Sequence, residues 1–281
     1  MDAPAAQPLV IGALGGSGTR VVAEIVQSAG IHIGSVLNRA NDNLVATRLL
    51  KDTAWRSRAD AAQVRRRLLL LGRFMTGTAS TLDRARLVVA ATRNHTHPFP
   101  FRETLEAARD ERGTTGRWGW KEPNSQLYAG DVLRTWPEAR YVHVLRHGLD
   151  MALSRNQNQL RNWGDLFGIE LSPEASEAEV RRAQLRYWVA STQYVMDAVT
   201  DHADRVHVLR LDELLDRPRE VIAELLEFAR LPVDDDRLTE LATLPASPET
   251  RGRHRDASLA DFPADDVAYV ASMGFAIEAT P

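Results

Sequence analysis

Pro8–Gly30 reads PLVIGALGGSGTRVVAEIVQSAG, and its reading decides the fold. Leu9–Leu14 is an apolar run with the length of a buried strand. It stops at Gly15-Gly16-Ser17-Gly18-Thr19. Val21, Val22, Ile25 and Val26 then fall on one side of an amphipathic helix. A strand, a glycine-rich turn and a helix N-terminus in succession make an anion site. Successive backbone N–H groups point out of the turn, and the helix dipole adds about half a positive charge. Glycine lets the backbone approach a phosphate with no Cβ in the way. A plain strand-to-helix turn would not need all of these glycines together with Ser17, Thr19 and Arg20.

The loop fits neither of the two common phosphate-binding patterns. The nucleoside-triphosphate pattern G-x-x-x-x-G-K-[ST] fails because Thr19, not lysine, follows Gly18, and Ala13 stands where the first glycine belongs. The dinucleotide pattern G-x-G-x-x-G could start at Gly16 and Gly18, but Val21 occupies its third glycine.

A second segment narrows the choice. Arg140–Ser154 reads RYVHVLRHGLDMALS, with a strand over Tyr141–Leu145, Arg146 at its C-terminal end and a helix from Gly148. At this point the chain resembles the sulfotransferases that use 3′-phosphoadenosine 5′-phosphosulfate (PAPS). In that family the first glycine-rich loop holds the 5′-phosphosulfate. An arginine at the end of a later strand and a serine eight residues on hold the 3′-phosphate, the spacing of Arg146 and Ser154. Arg205–Leu231 is similar to the family's next strand, acidic-Leu-Leu segment and helix. Arg251-Gly252-Arg253 resembles a weak form of the basic loop that also binds the 3′-phosphate. The resemblance runs in order from Leu9 to Arg255. It implies a P-loop-like α/β fold, PAPS as donor, adenosine 3′,5′-bisphosphate (PAP) as product, and no metal.

Composition bounds the reading. The chain has 281 residues, 44% of them hydrophobic, enough for one sizeable α/β domain. Its net charge of −3 argues against a general nucleic-acid surface, and the lack of cysteine excludes disulfides and thiolate chemistry. No apolar run reaches about 18 residues, and MDAPAAQ has neither a basic nor an apolar leader region. Membrane-anchored Golgi sulfotransferases carry such a segment, so the resemblance implies a soluble, cytoplasmic member. Asn94-His95-Thr96 matches a glycosylation sequon, which has no role without a secretion signal. Of 35 basic residues only Lys51 and Lys121 are lysine. Arginine would serve any generic surface charge, so these two carry more information.

The chain reads as alternating strands and helices without internal repeats. The expected sheet is therefore mainly parallel and flanked by helices, with ligands at its C-terminal edge. The whole of 1–281 reads as one domain, with 38–115 as a helical cap or insertion that shapes the substrate site. Ile31–Gly34 reads as a second short strand, Asn38–Asn43 as a polar loop, and Gly116–Pro123 as a strand entering a turn, with Glu122 extended before its proline. Helices are expected over Leu44–Leu50, Ala59–Met75, Leu82–Thr92, Ser125–Thr135 and Ala175–Thr200, and Asn156–Gly168 as a loop. Arg65–Arg67 reads as a solvated face, and Tyr187 and Trp188 as core. His95 and His97 lack a third metal ligand at suitable spacing.

Sulfuryl transfer demands three services: a cradle for the leaving 5′-phosphate, a cation at the reacting centre, and a base for the acceptor proton. Gly15, Gly16, Ser17, Gly18, Thr19 and Arg20 supply the first. Arg146 and Ser154, with Arg251, Gly252 and Arg253, hold the 3′-phosphate. Many members of the family carry a lysine or arginine where this chain has Gly16. Lys121 is the preferred substitute and Arg20 the second. Base candidates are Asp42, Glu122, His97 and His147, with Asp42 favoured because some relatives place a carboxylate in this loop. The acceptor is expected to be a hydroxyl or amine of a small metabolite or saccharide. Two other readings stay open: a small-molecule kinase with an irregular loop, and a non-catalytic PAP binder. The missing Lys-Ser/Thr pair counts against the kinase.

Overall fold

The structure, a computed structural model, describes residues 7–94, 97 and 99–277. Its centre is a four-stranded sheet. The strands are β1 (Leu9–Ala13), β2 (Gly119–Lys121), β3 (Arg140–Leu145) and β4 (Val206–Arg210), in spatial order β2-β1-β3-β4. All three pairings are parallel. Register places Ile11 opposite Lys121 and Ala13 opposite Val144. The C-terminal ends of β2, β1 and β3 therefore lie side by side at one edge.

Alternation along the strands divides the core. Leu9, Ile11, Ala13, Val142, Val144 and Leu209 face one layer with the helices Thr19–Ser28 and Pro218–Phe228. Val10, Trp120 and Tyr141 face the other, against helices Ala61–Met75, Ala129–Thr135 and Glu177–Val199. Trp118, Trp120 and Trp136 pack against one another here, with ring centroids 5.7–6.1 Å apart. Between residues 38 and 115 the chain forms helices Leu44–Leu50, Thr53–Arg56, Ala61–Met75, Thr81–Thr92 and Phe101–Asp110. Val45, Leu49, Leu68, Phe74 and Leu87 from these helices join the same core as Trp120.

Four expectations need correction. Ile31–Gly34 is not a strand: one bridge, His32 with Trp118, is formed before Gly34 turns away at φ 124°. Asn156–Gly168 is not a loop. It holds a helix, Asn158–Trp163, and a 3₁₀ turn, Gly164–Phe167, because Leu160 and Trp163 bury one face. Ser125–Thr135 is not one helix but the end of a 3₁₀ turn, Pro123–Tyr128, followed by Ala129–Thr135. Arg67 is not solvated; its guanidinium pairs with Asp52 and lies 3.5 Å from the Trp55 ring centroid. Tyr187 and Trp188 are core residues.

Gly12 explains how a bulky face fits beside the site. A Cβ there would lie 2.2 Å from the Tyr141 hydroxyl and 2.8 Å from the Gln126 backbone nitrogen. The Tyr141 hydroxyl has no hydrogen-bond partner among the described residues. Gly12→Ala should therefore cost about 1–3 kcal/mol through overpacking. Tyr141→Phe should cost little and should recover part of that loss in the double variant. Urea denaturation of the four proteins checks this; strict additivity would disprove the contact.

Candidate active site

The turn after β1 is built for an anion. Gly16 and Gly18 hold φ values of 97° and 84°, a region that side chains avoid. The Ser17 N–H donates to the Leu14 carbonyl at 3.1 Å and closes the turn. Gly18 precedes helix Thr19–Ser28, and no side chain caps that helix. A Cβ on Gly18 would also strike the Leu211 side chain at 2.6 Å. Ser17 and Thr19 are buried; Arg20 is exposed.

Arg146, directly after β3, faces this turn. One guanidinium nitrogen is 3.4 Å from the Gly16 carbonyl; the other donates to the Thr250 carbonyl at 2.7 Å and hydroxyl at 2.8 Å. Burial lowers the Arg146 pKa, and Trp188 donates to the Arg146 carbonyl at 3.1 Å, fixing its backbone. Ser154 follows the helix Gly148–Ala152, and its hydroxyl accepts from the Asn156 N–H at 3.2 Å. The arginine triplet divides. Arg253 donates to the Leu153 and Thr250 carbonyls at 3.0 and 3.1 Å, which keeps it beside Ser154. Arg251 instead pairs with Asp212 and Asp216 at 3.1 and 2.6 Å, and the Gly252 N–H donates to Asp150 at 2.7 Å. Arg251 and the Gly252 amide are thus engaged elsewhere, contrary to expectation.

The other flank holds two carboxylates, Asp42 and Glu122, beside Lys121. Lys121 ends β2 with its ammonium on Asp42 at 2.5 Å and on the Ala40 carbonyl at 2.6 Å. The backbone aligns this pair, since the Asn43 N–H donates to the Lys121 carbonyl at 2.8 Å. Asn38 completes it: its amide donates to Asp42 at 2.7 Å, while its carbonyl oxygen accepts from the Ala40 and Asp42 N–H groups. The helix Leu44–Leu50 is capped by Asn43, not Asp42, so Asp42 is free to face Lys121. Glu122 is 2% exposed. One of its oxygens accepts from Asn124 at 2.8 Å; the other has no partner among the described residues. Burial and then the nearby Asp42 charge push Glu122 up to about 7.

A cavity of about 540 Å³ joins the turn to this second flank, lined among others by Gly16, Thr19, Arg20, Asp42, Lys121 and Glu122. Lys51 lines it too, so both lysines of the chain face one cavity. Asn156, Asn158, Gln159 and Asn162 form an amide-rich wall opposite the turn. Their placement was hidden in sequence because the segment read as a loop; the spacing of Leu160 and Trp163 was the missed signal. The histidines do not serve this cavity. His147 contacts the Ala276 carbonyl at 2.9 Å and stacks on His254, and burial lowers His97 to about 4. His95 lies outside the described residues. Among the described residues no group of three or more His, Cys, Asp or Glu could hold a metal ion. No helix among them is long and apolar enough to cross a membrane.

The profile of the Sulfotransferase family matches residues 8–235. The chain belongs to the sulfotransferase family. Its fold is similar to that of the sulfotransferase STF9 from Mycobacterium avium, with a TM-score of 0.50 at 14% identity over 99% of this chain and 79% of that one. The sulfotransferase domain of the Synechococcus PCC 7002 olefin synthase gives a TM-score of 0.49 at 14% identity, covering 99% of this chain and 98% of that one. An uncharacterized protein of Aquifex aeolicus is 30% identical over 117 residues; the match spans 41% of this chain and 14% of that relative.

The Glu122 environment fixes a pH dependence for this sulfotransferase-family fold. Its folded pKa lies above the unfolded one, so the folded state binds the extra proton. Glu122 therefore favours folding fully at low pH, and that contribution is lost as pH rises from about 4.5 to about 7. Glu122→Gln should gain stability over the native protein by up to about 3 kcal/mol across that window. Paired urea titrations at pH 4.5 and 7.5 measure the gap; a gap that stays constant contradicts the assignment.

Proposed function

We propose that this protein transfers a sulfuryl group from PAPS to a hydroxyl, or amine, of a small metabolite or saccharide. The observation that carries the reading is the meeting of two anion cradles: Arg146 reaches the Gly16 carbonyl at 3.4 Å, so one doubly phosphorylated nucleotide can touch both. The turn offers backbone N–H groups and the Ser17 and Thr19 hydroxyls to the 5′ side. Arg146, Ser154 and Arg253 serve the 3′ side.

In the transfer the acceptor oxygen bonds to sulfur while the bond from sulfur to the 5′-phosphate oxygen breaks. PAP leaves with the electron pair. Negative charge grows on the bridging oxygen, where the Gly16–Thr19 amides and the Lys121 ammonium supply positive potential. Lys121 thereby stands in for the cation absent at Gly16. Asp42 and the Ala40 carbonyl hold it against the same cavity. Arg20, on the exposed side of the turn, adds to the field.

The acceptor proton goes to Glu122. Asp42 is committed through both oxygens to Lys121 and Asn38, which leaves neither oxygen free for an acceptor proton. Glu122 has a free oxygen and titrates near neutrality, which suits a general base. Two carboxylates with different hydrogen-bond partners take different roles. Asp42 aims the cation, and Glu122 accepts the proton.

Calorimetry with PAP and ATP tests the donor. The protein should bind PAP in preference to ATP, and Arg146→Ala should weaken PAP at least about tenfold, since charge-assisted pairs contribute about 1.5–3 kcal/mol. Preference for ATP would favour the kinase reading. Turnover of labelled PAPS over an acceptor panel tests the chemistry. Lys121→Ala should lower kcat about 10²–10³-fold while PAP affinity holds within about threefold. Glu122→Gln should lower kcat about 10²-fold or more and abolish the acidic limb near pH 7, whereas Asp42→Asn should lower kcat and keep the limb. A Glu122→Gln profile matching the native one transfers the base role to Asp42.

A further inference from the structure

The segment from Thr250 to His254 has little structure of its own. It passes from a turn into a 3₁₀ stretch at Arg253–Asp256, with Gly252 at φ 75°. Yet it supplies both Thr250 contacts to Arg146 and the Arg253 guanidinium beside Ser154. Arg251 ties it to Asp212 and Asp216 on one side, and Asp150, from the short helix after β3, fixes the other. One carboxylate oxygen of Asp150 accepts the Gly252 N–H at 2.7 Å. The other accepts the His254 N–H at 3.0 Å and lies 2.7 Å from His254 Nδ1. Asp150 is 1% exposed and touches no part of the cavity beside the turn. Burial alone would raise its pKa; the bonds from His254 and Gly252 override that and hold it well below the usual carboxylate range. The anchor continues behind it. The His254 ring stacks on His147 at 3.7 Å, His147 contacts the Ala276 carbonyl at 2.9 Å, and Phe275 packs on His147 and Trp188.

This chain of contacts has a consequence for recognition. Arg251 anchors the segment to Asp212 and Asp216, while the Asp150 contacts are what hold Gly252 and His254, the residues that flank Arg253. We propose that Asp150 is a positioning residue for the nucleotide's 3′-phosphate: it clamps Gly252–His254 so that Arg146, Ser154 and Arg253 converge on one anion. The role acts mainly on one end of the ligand, because the 5′ cradle is built on the turn after β1 and meets the clamped residues only through the 3.4 Å contact of Arg146 with the Gly16 carbonyl. His254 is the clamp's second half. The inference rests on the PAPS reading of this site.

The test compares two nucleotides that differ only in the 3′-phosphate: PAP and adenosine 5′-monophosphate. Isothermal calorimetry is run on the native protein, Asp150→Asn and His254→Ala, with urea midpoints measured for each. Asp150→Asn should raise the Kd for PAP at least tenfold and leave the Kd for adenosine 5′-monophosphate within about twofold. His254→Ala retains both backbone bonds to Asp150, so it should show the same selectivity change at a smaller size, about threefold. If Asp150→Asn fails to fold, the His254→Ala result decides alone. An unchanged preference for PAP in both variants, or an equal loss for both nucleotides, overturns the clamp and leaves the donor assignment standing. A native protein that binds no PAP overturns the donor assignment and the clamp with it.

Discussion

The parallel pairing of β1 with β3 is the constraint on which the site depends. Ala13 lies opposite Val144, so both strands end at one level. Neighbouring strands run about 4.8 Å apart. Whatever follows β1 and whatever follows β3 must therefore meet. A glycine turn follows the first and Arg146 the second, and they touch at Gly16. β2 pairs with the opposite side of β1 and ends in Lys121, with Glu122 directly after it. The glycine turn thus sits between Arg146 on one side and the Lys121–Asp42 pair with Glu122 on the other. Chain order does not show this arrangement; sheet order does.

The same edge concentrates groups that cost stability. Lys121, Glu122, Asn124, Arg146 and Asp150 are all buried polar residues near the strand ends. Glu122 keeps one oxygen without a partner, and its shifted titration is the signature of a carboxylate held away from water. Away from this edge the pattern is ordinary. Apolar residues alternate along the strands, helices cover both faces, and three tryptophans fill the space beside β2.

Local patterns were legible in the sequence, and long-range partners were not. The Pro8–Gly30 stretch announced its strand, turn and helix because each is a local signal. Arg146 was legible because it ends an apolar run. Asp42 and Lys121 could each be named, but their ion pair joins residues 79 positions apart, and only the pairing of β2 with β1 brings them together. Asp150 read as an ordinary helical residue, since its partner His254 lies 104 positions away. The burial that lifts Glu122 also comes from tertiary packing. The pairing of Arg251 with Asp212 and Asp216 was hidden for the same reason, since neither partner is near it in the chain. In Asn156–Gly168 the abundance of Asn and Gln masked the Leu160 and Trp163 pair that makes a helix.

The central claim is that a single nucleotide is gripped at both phosphates by the edge of β1 and β3. A crystal structure of the protein grown with PAP addresses it directly. The account places the 5′-phosphate on the backbone amides of Gly16–Thr19 and the 3′-phosphate between Arg146 and Ser154. A nucleotide bound elsewhere, or one with either phosphate away from its cradle, would contradict it.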